Sequence, residues 1–278
     1  MIINLDENFS YGVTKAGNSK KLKKFKFAGG EVSIKIEDVG VGKVASIACR
    51  LISSDAIMEL LMVTDAIKRQ LIDTIYLYMP YLPYARQDRV MIPGEALSLK
   101  VFANLINSQG YKAVSVLDVH SDTAAALINN FYPMDKMPFI RHALAEMHSD
   151  QDFYLVSPDA GAYKKIYEVA RELDYKRGIT VCNKVRDVST GNITGYEIGV
   201  QDFHGDNIVI IDDICDGGAT FIELAKHLKN RNCGTISLIV THGIFSKGEE
   251  VLKPYIDKIY CTNSFKDIES DYIKQYKL

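Results

Sequence analysis

The chain has 278 residues, 47% of them hydrophobic, which is material for one large or two medium α/β domains. Its 33 Lys and Arg nearly balance 35 Asp and Glu, a net charge of -2; a nucleic-acid polyanion is not an expected partner, although local cations can still hold small phosphorylated molecules. Five scattered cysteines without a Cys-x-x-Cys pair point to a reducing, cytoplasmic compartment, the N-terminus shows no signal-peptide pattern, and no apolar run reaches membrane-spanning length.

In chain order, a basic run over residues 20–26 leads into Phe27-Ala-Gly-Gly-Glu31 and reads as a solvated lead-in. Residues 44–49 read as a strand and 54–71 as a helix, with Ala56, Leu60, Val63, Ile67 and Leu71 at helical spacing. A strand over 74–79 runs into Pro80-Tyr-Leu-Pro-Tyr-Ala-Arg-Gln-Asp-Arg89. Two prolines bar a regular helix there. Tyr81 and Tyr84 offer stacking surface, and Arg86, Gln87 and Asp88 offer polar contacts. The segment suits a nucleotide; a solvated turn is the plainer alternative. A helix over 95–108 and a strand over 113–117 follow. That strand ends in Asp118-Val-His-Ser-Asp122, where His120 between two acids suits a divalent cation or, alternatively, a structural role.

In the second half, a strand over 153–156 reaches Ser157-Pro-Asp-Ala-Gly161 and a helix over 161–173. Asp159 there is ordinary N-cap chemistry if taken alone. Residues 184–193 are polar, a plain loop or a mobile lid, with Lys184 and Arg186 either solvated or closing over phosphates. A strand is expected near Tyr196. The strand over 207–211 runs into Asp212, Asp213 and Asp216, then Gly217, Gly218, Ala219 and Thr220, then a helix over 219–230 and a strand over 235–241. Carboxylates accept hydrogen bonds from ribose hydroxyls, and a glycine turn into a helix N-terminus favours an anion. The β-α alternation implies parallel sheets covered by helices, with function at the strands' carboxyl ends. Residues 114–122 echo residues 208–216, which suggests two related halves with a cleft between them.

Together these segments resemble the ribose-phosphate pyrophosphokinase (phosphoribosyl pyrophosphate synthetase) family over roughly residues 27–263. Tyr84-Ala-Arg-Gln-Asp88 and Ser157-Pro-Asp-Ala-Gly161 match family motifs, as does Thr241-His-Gly-Ile-Phe-Ser246. Phe27-Ala-Gly-Gly-Glu31, Gly94-Glu-Ala-Leu-Ser98, Asp118-Val-His120 and Lys184-Val-Arg186 are similar to others, in family order. The resemblance implies two tandem phosphoribosyltransferase type I-like domains, residues 1–134 with the ATP loops and 135–278 with the ribose-phosphate loop, each a mainly parallel sheet flanked by helices, with the active site between them. It implies Mg²⁺ near His120 and Asp159, and ATP held by Phe27, Glu31, Arg86, Gln87, Asp88 and His120. It also implies an acceptor held by Asp159, Asp212, Asp213, Asp216, Gly217, Gly218, Ala219 and Thr220, catalysis by Lys184 and Arg186, and a homo-oligomer in which the Phe27 loop reaches a neighbouring subunit. The reaction implied is transfer of the diphosphoryl group of ATP to the C1 hydroxyl of ribose 5-phosphate, releasing AMP.

The chain departs from the family pattern in three places. Gly217 stands where the family carries a hydroxyl that donates to the 5′-phosphate, and Ala219 where it carries glycine. That difference leaves room for a substituted phosphate and opens an alternative acceptor, ADP-ribose, which would serve NAD salvage. Asp187 and Thr190-Gly191 replace a more basic run. Only fifteen residues follow Asn263, so a last strand and helix are expected to be missing, together with the usual assembly and allosteric control. A phosphoribosyltransferase and a non-catalytic synthetase-associated protein remain further alternatives.

Overall fold

The structure, a computed structural model, describes all residues except 12–13, 16–18, 38–41, 148–151 and 187–192, and omits the side chains of 184–186, 193–194 and 196. It forms two compact units, Met1–Asp135 and Lys136–Lys277.

The first unit is built on a five-stranded parallel sheet in the order β1 (Ile2–Asn4), β4 (Val44–Ala48), β5 (Thr74–Tyr78), β6 (Ala113–Leu117), β7 (Phe131–Met134). Helix α1 (Ser54–Lys68) starts where the Ser53 side chain accepts a hydrogen bond from the Ala56 N–H at 3.1 Å, with Asp55 in its first turn and Lys68 in its last, each complementing the helix dipole. Its buried face, Ile57, Leu60, Val63 and Ile67, follows the expected spacing. The helix stops short of residue 71, because Leu71 turns into the left-handed region at φ 60° and is exposed. Helix α2 (Ser98–Asn107) likewise starts later than its pattern predicts. A turn precedes it, in which the Glu95 carboxylate accepts the N–H groups of Met91 and Ile92 at 2.8 and 3.3 Å. A short helix, α3 (Thr123–Leu127), links β6 to β7.

The basic run is exposed, as a solvated lead-in would be, but it is a strand. Leu22–Lys26 forms β2, antiparallel to β3 (Val32–Ile36). Lys24 and Lys26 pair with Glu59 and Asp55 of α1, both at 2.7 Å, so alternate lysines of the strand fasten the hairpin to the helix.

The second unit holds a seven-stranded sheet in the order β10-β9-β8-β11-β12-β13-β14. These strands are β8 (Phe153–Ser157), β9 (Thr180–Arg186), β10 (Ile193–Ile198), β11 (Asn207–Cys215), β12 (Ile236–Gly243), β13 (Lys258–Thr262) and β14 (Ile273–Tyr276). All pairs are parallel except β9 with β10. Alternation along β11 feeds two cores. Ile208 and Ile210 pack with Phe221, Leu224 and Leu228 of α6 (Ala219–Lys229). Val209 and Ile211 pack with Phe139 and Ile140 of α4 (Met137–Glu146) and Ile166 and Val169 of α5 (Tyr163–Glu172).

Two expectations are corrected here. Lys184 and Arg186 belong by backbone to β9 and not to a loop, because an antiparallel partner, β10, satisfies their main chain in register (Tyr196↔Lys184, Ile193↔Arg186). The fifteen residues after Asn263 do supply a last strand: β14 pairs with β13 from Ile259↔Ile273 to Thr262↔Tyr276. Among the described residues, no helix is long and apolar enough to cross a membrane.

Candidate active site

In the first unit the chemistry-bearing segments leave the carboxyl ends of β5 and β6. The main chain beyond β5 stays zipped to β6, with Met79 N–H donating to Ser115 O at 2.9 Å and Leu117 N–H to Pro80 O at 3.0 Å. Residues 84–88 and 118–122 are thereby brought together. Asp88 shows the contact: its carboxyl is held below the ordinary range first by the hydrogen bond from Arg89, against the opposing effect of burial, with Ser121 and His120 adding to the lowering. An ionised Asp88 is thus tied to both motifs. Tyr84 adopts φ 63° and Asp118 φ 42°. Left-handed backbone is tolerated by Asp but strained for a bulky Tyr, a cost met where a chain is held in place for function. Tyr84 also leans on Phe102 of α2 with ring centroids 5.7 Å apart, and the Gln87 carbonyl accepts the Leu99 N–H at 3.2 Å, so α2 braces the segment from below. Arg86, Gln87 and His120 face solvent.

Phe27 and Glu31 lie apart from this cluster in sequence and close the β2–β3 hairpin, with Phe27 N–H donating to Glu31 O at 2.8 Å. Phe27 is 55% exposed and contacts Phe25 edge-on, leaving an aromatic tip in water.

In the second unit β11 outruns β8. Their pairing ends at Ile210↔Val156, while β11 continues alongside β12 to Cys215↔Gly243. The overhang carries Asp212 and Asp213, whose carboxyls lie close enough to interact. Asp213 is buried on the α5 side, where Lys165 Nζ lies 3.3 Å from its carboxylate. Asp212 accepts the Asp213 N–H at 2.8 Å. Its carboxyl is raised well above the ordinary range, first by removal from water and then by the neighbouring charge of Asp213, with Lys165 opposing. Asp159 follows β8 and accepts the Ala162 N–H at 3.0 Å in the turn before α5, whose own N-cap, Ala162, has no side-chain cap. That helix carries Lys165.

After Asp216, Gly217 and Gly218 turn the chain into α6, whose N-cap Gly218 sits at φ 78° and has no side-chain cap. No side chain caps this helix start and no acidic residue occupies its first turn, a setting that favours an anion. Ala219 is exposed and Thr220 half-buried at the helix start. Cys215 is not available as a nucleophile: burial, then the charges of Asp212 and Asp216, push its thiol up to about 12.

Lys184 and Arg186 have described backbones, but their side chains lie outside the described residues, as does the 187–191 departure. Among the described residues, no cluster of three or more His, Cys, Asp or Glu forms a ready-made metal cage; His120 belongs to the first unit and Asp159 to the second. Lys165 was missed by the sequence reading. Its one signal was helical spacing, since Lys165 and the buried Val169 are four apart and share a face of α5.

A family model described as the N-terminal domain of ribose phosphate pyrophosphokinase matches residues 14–110, and a phosphoribosyl transferase domain model matches 138–274. A ribose-phosphate pyrophosphokinase of Mycoplasmopsis pulmonis is 31% identical over 81% of this chain and 69% of its own length. A putative ribose-phosphate pyrophosphokinase 2 of Streptococcus pyogenes is 33% identical over 88% and 76%. The crystal structure of phosphoribosylpyrophosphate synthetase from Mycobacterium smegmatis superposes with a TM-score of 0.84 at 21% identity, covering 100% of this chain and 94% of that one, a likeness of fold.

Proposed function

The chain belongs to the ribose-phosphate pyrophosphokinase family of transferases, and we propose that it moves the diphosphoryl group of ATP onto the C1 hydroxyl of a ribose 5-phosphate. The observation that carries this reading is the strand β11, which delivers two adjacent carboxylates, one paired with Lys165, directly into an uncapped helix start. Such an arrangement suits a sugar diol followed by a phosphate.

In this reading Asp212 and Asp213 accept hydrogen bonds from the ribose 2- and 3-hydroxyls, and the backbone from Asp216 to Thr220 holds the 5′-phosphate. Arg86, Gln87 and Asp88 hold ATP, and the exposed Phe27 and Glu31 reach the nucleotide of a neighbouring copy, so the protein works as a homo-oligomer. The C1 oxygen bonds to the β-phosphorus while the bond to the oxygen bridging the α- and β-phosphates breaks, and AMP leaves. Lys184 and Arg186 neutralise charge on the transferring group and exclude water. His120 of the first unit and Asp159 of the second are each a donor of a kind that would hold Mg²⁺, an ion that takes few protein ligands and keeps water and phosphate oxygens in its shell. When bound, Mg²⁺ would offset phosphate charge. Four of the five free thiols are buried, and we place the protein in the cytoplasm.

A second acceptor is favoured by Gly217, where no side-chain hydroxyl calls for a terminal phosphate oxygen. ADP-ribose, with its ribose 5-phosphate end substituted, meets the same contacts. Incubation with ATP, Mg²⁺ and either acceptor, followed by mass spectrometry, is expected to show AMP and a diphosphorylated acceptor. Turnover of ADP-ribose alone transfers the assignment to the second acceptor. AMP formation untouched by Lys184→Ala sinks the catalytic role of that residue, and no AMP with either acceptor sinks the reading.

A further inference from the structure

The segment after β12 folds back on the glycine turn. Ile244 and Phe245 N–H groups donate to Cys215 O at 2.9 and 3.1 Å, and Ser246 N–H to Asp216 O at 3.3 Å. A turn then closes from Phe245 O to Gly248 N–H at 3.0 Å, with Phe245 and Gly248 at φ 46° and 75°. This clamp lays the stem of Lys247 alongside Gly217. A Cβ built on Gly217 would stand 3.4 Å from both Cδ and Cε of Lys247, so the lysine stem occupies the space a longer side chain at 217 would need.

Charge around the loop adds a second argument. Asp212, Asp213 and Asp216 are three carboxylates within five residues, and the nearby Lys165 is already engaged with Asp213. A phosphate arriving at Asp216–Thr220 meets a negative neighbourhood and needs a cation. Lys247 is exposed, and among the described residues its ammonium makes no ion pair or hydrogen bond.

We infer that Lys247 is a specificity-determining residue of the acceptor site, its ammonium supplying the phosphate contact that position 217 does not. This rests on the reading of Asp216–Thr220 as the acceptor's phosphate loop. A hydroxyl within the turn reads one fixed oxygen, whereas an ammonium on a flexible stem reads anionic charge. Lys247 therefore admits a phosphate whether terminal or substituted, and discriminates against acceptors with no phosphate.

The test is calorimetric titration of the full chain with ribose 5-phosphate and with ADP-ribose, for wild type, Lys247→Met and Lys247→Arg. Met keeps the stem beside Gly217 and removes only the charge. Lys247→Met is expected to weaken the better-bound acceptor by about tenfold or more and to flatten the salt dependence of binding, while Lys247→Arg stays within about threefold. An affinity and salt dependence equal to wild type in Lys247→Met overturn the inference and leave the lysine a packing residue. Wild type that binds neither acceptor overturns it as well. Binding with the expected Lys247→Met loss but no AMP release from ATP sinks the proposed reaction alone. AMP release with an unchanged acceptor KM in Lys247→Met sinks the Lys247 assignment alone.

Discussion

Gly218 is held in place by two independent constraints. Its φ of 78° disfavours any L side chain, and a Cβ there would stand 2.7 Å from Leu252 Cδ2. Gly218→Ala is expected to cost about 2 kcal/mol or more in denaturant unfolding, the left-handed penalty plus overpacking, and to abolish acceptor binding. Unchanged stability would show that the turn can rearrange. Asp212 makes the opposite trade. Its folded-state carboxyl is raised by burial and by Asp213, so the native state binds a proton more tightly than the unfolded chain. The stability it contributes is complete below the ordinary carboxylate range and is lost as pH rises through the raised value. At neutral pH the ionised pair is a cost. Asp212→Asn is therefore expected to raise Tm at pH 8 while abolishing acceptor binding, and the gain should shrink on acidification; a lower Tm at pH 8 contradicts it. The two aspartates were legible because adjacent acids at the end of an apolar run are costly in a plain core strand. Lys247 was not, because the 244–248 clamp brings it to the loop through tertiary contacts, and Lys165 showed only its face of α5 and not its partner, which tertiary packing supplies.

Element boundaries followed the same logic. Helix α1 was legible from its 3.6-residue period and β6 from its apolar run, whereas β7 was hidden by Pro133, which a central strand would reject and which is accommodated here on the edge of the sheet. The Asp212–Asp213 overhang is likewise an element property, since β11 continues beyond β8 only because β12 pairs with it further. Across that overhang, α5 and β11 are joined by Lys165 and Asp213, whose side chains are 25% and 6% exposed. Lys165→Met leaves a buried carboxylate without its counter-ion and is expected to cost about 1–3 kcal/mol, below a fully buried pair because the lysine is partly solvated. A cycle with Asp213→Asn should recover part of that loss; strict additivity would mean the pair contributes no coupling. The β2–β3 hairpin gives the contrasting case. Phe27 touches mainly Phe25 at an exposed tip, so Phe27→Ala should leave Tm within about 1 °C while raising KM for ATP. An unchanged KM removes the hairpin from the nucleotide site.

At the scale of the whole chain, each unit has its own sheet and core, and the proposed ATP and acceptor contacts divide between them. The proposed division follows the order of the motifs: the Tyr84–Asp88 and Asp118–His120 segments precede residue 135, and the Asp159 and Asp212–Thr220 segments follow it. The two sides differ physically. The segments proposed for the nucleotide are already braced, by main-chain bonds from Met79 and Leu117 and by α2 beneath Tyr84. The loop proposed for the acceptor enters α6 without a side-chain cap and carries a raised carboxyl at Asp212, features that suit an anion and a diol. Ligand binding stabilises what it touches, by an amount set by ligand concentration over Kd. Hydrogen exchange read by mass spectrometry should therefore respond in two separable patterns. Ribose 5-phosphate, or ADP-ribose if that is the acceptor bound, is expected to slow exchange at the start of α6 and in residues 244–248, leaving 84–88 and 118–122 unchanged. A non-hydrolysable ATP analogue with Mg²⁺ is expected to slow 84–88 and 118–122 first, with less effect at α6, which is proposed to meet the acceptor and not the nucleotide. Protection of 84–88 by the acceptor alone would contradict the assignment of ATP to the first unit and of the ribose phosphate to the second.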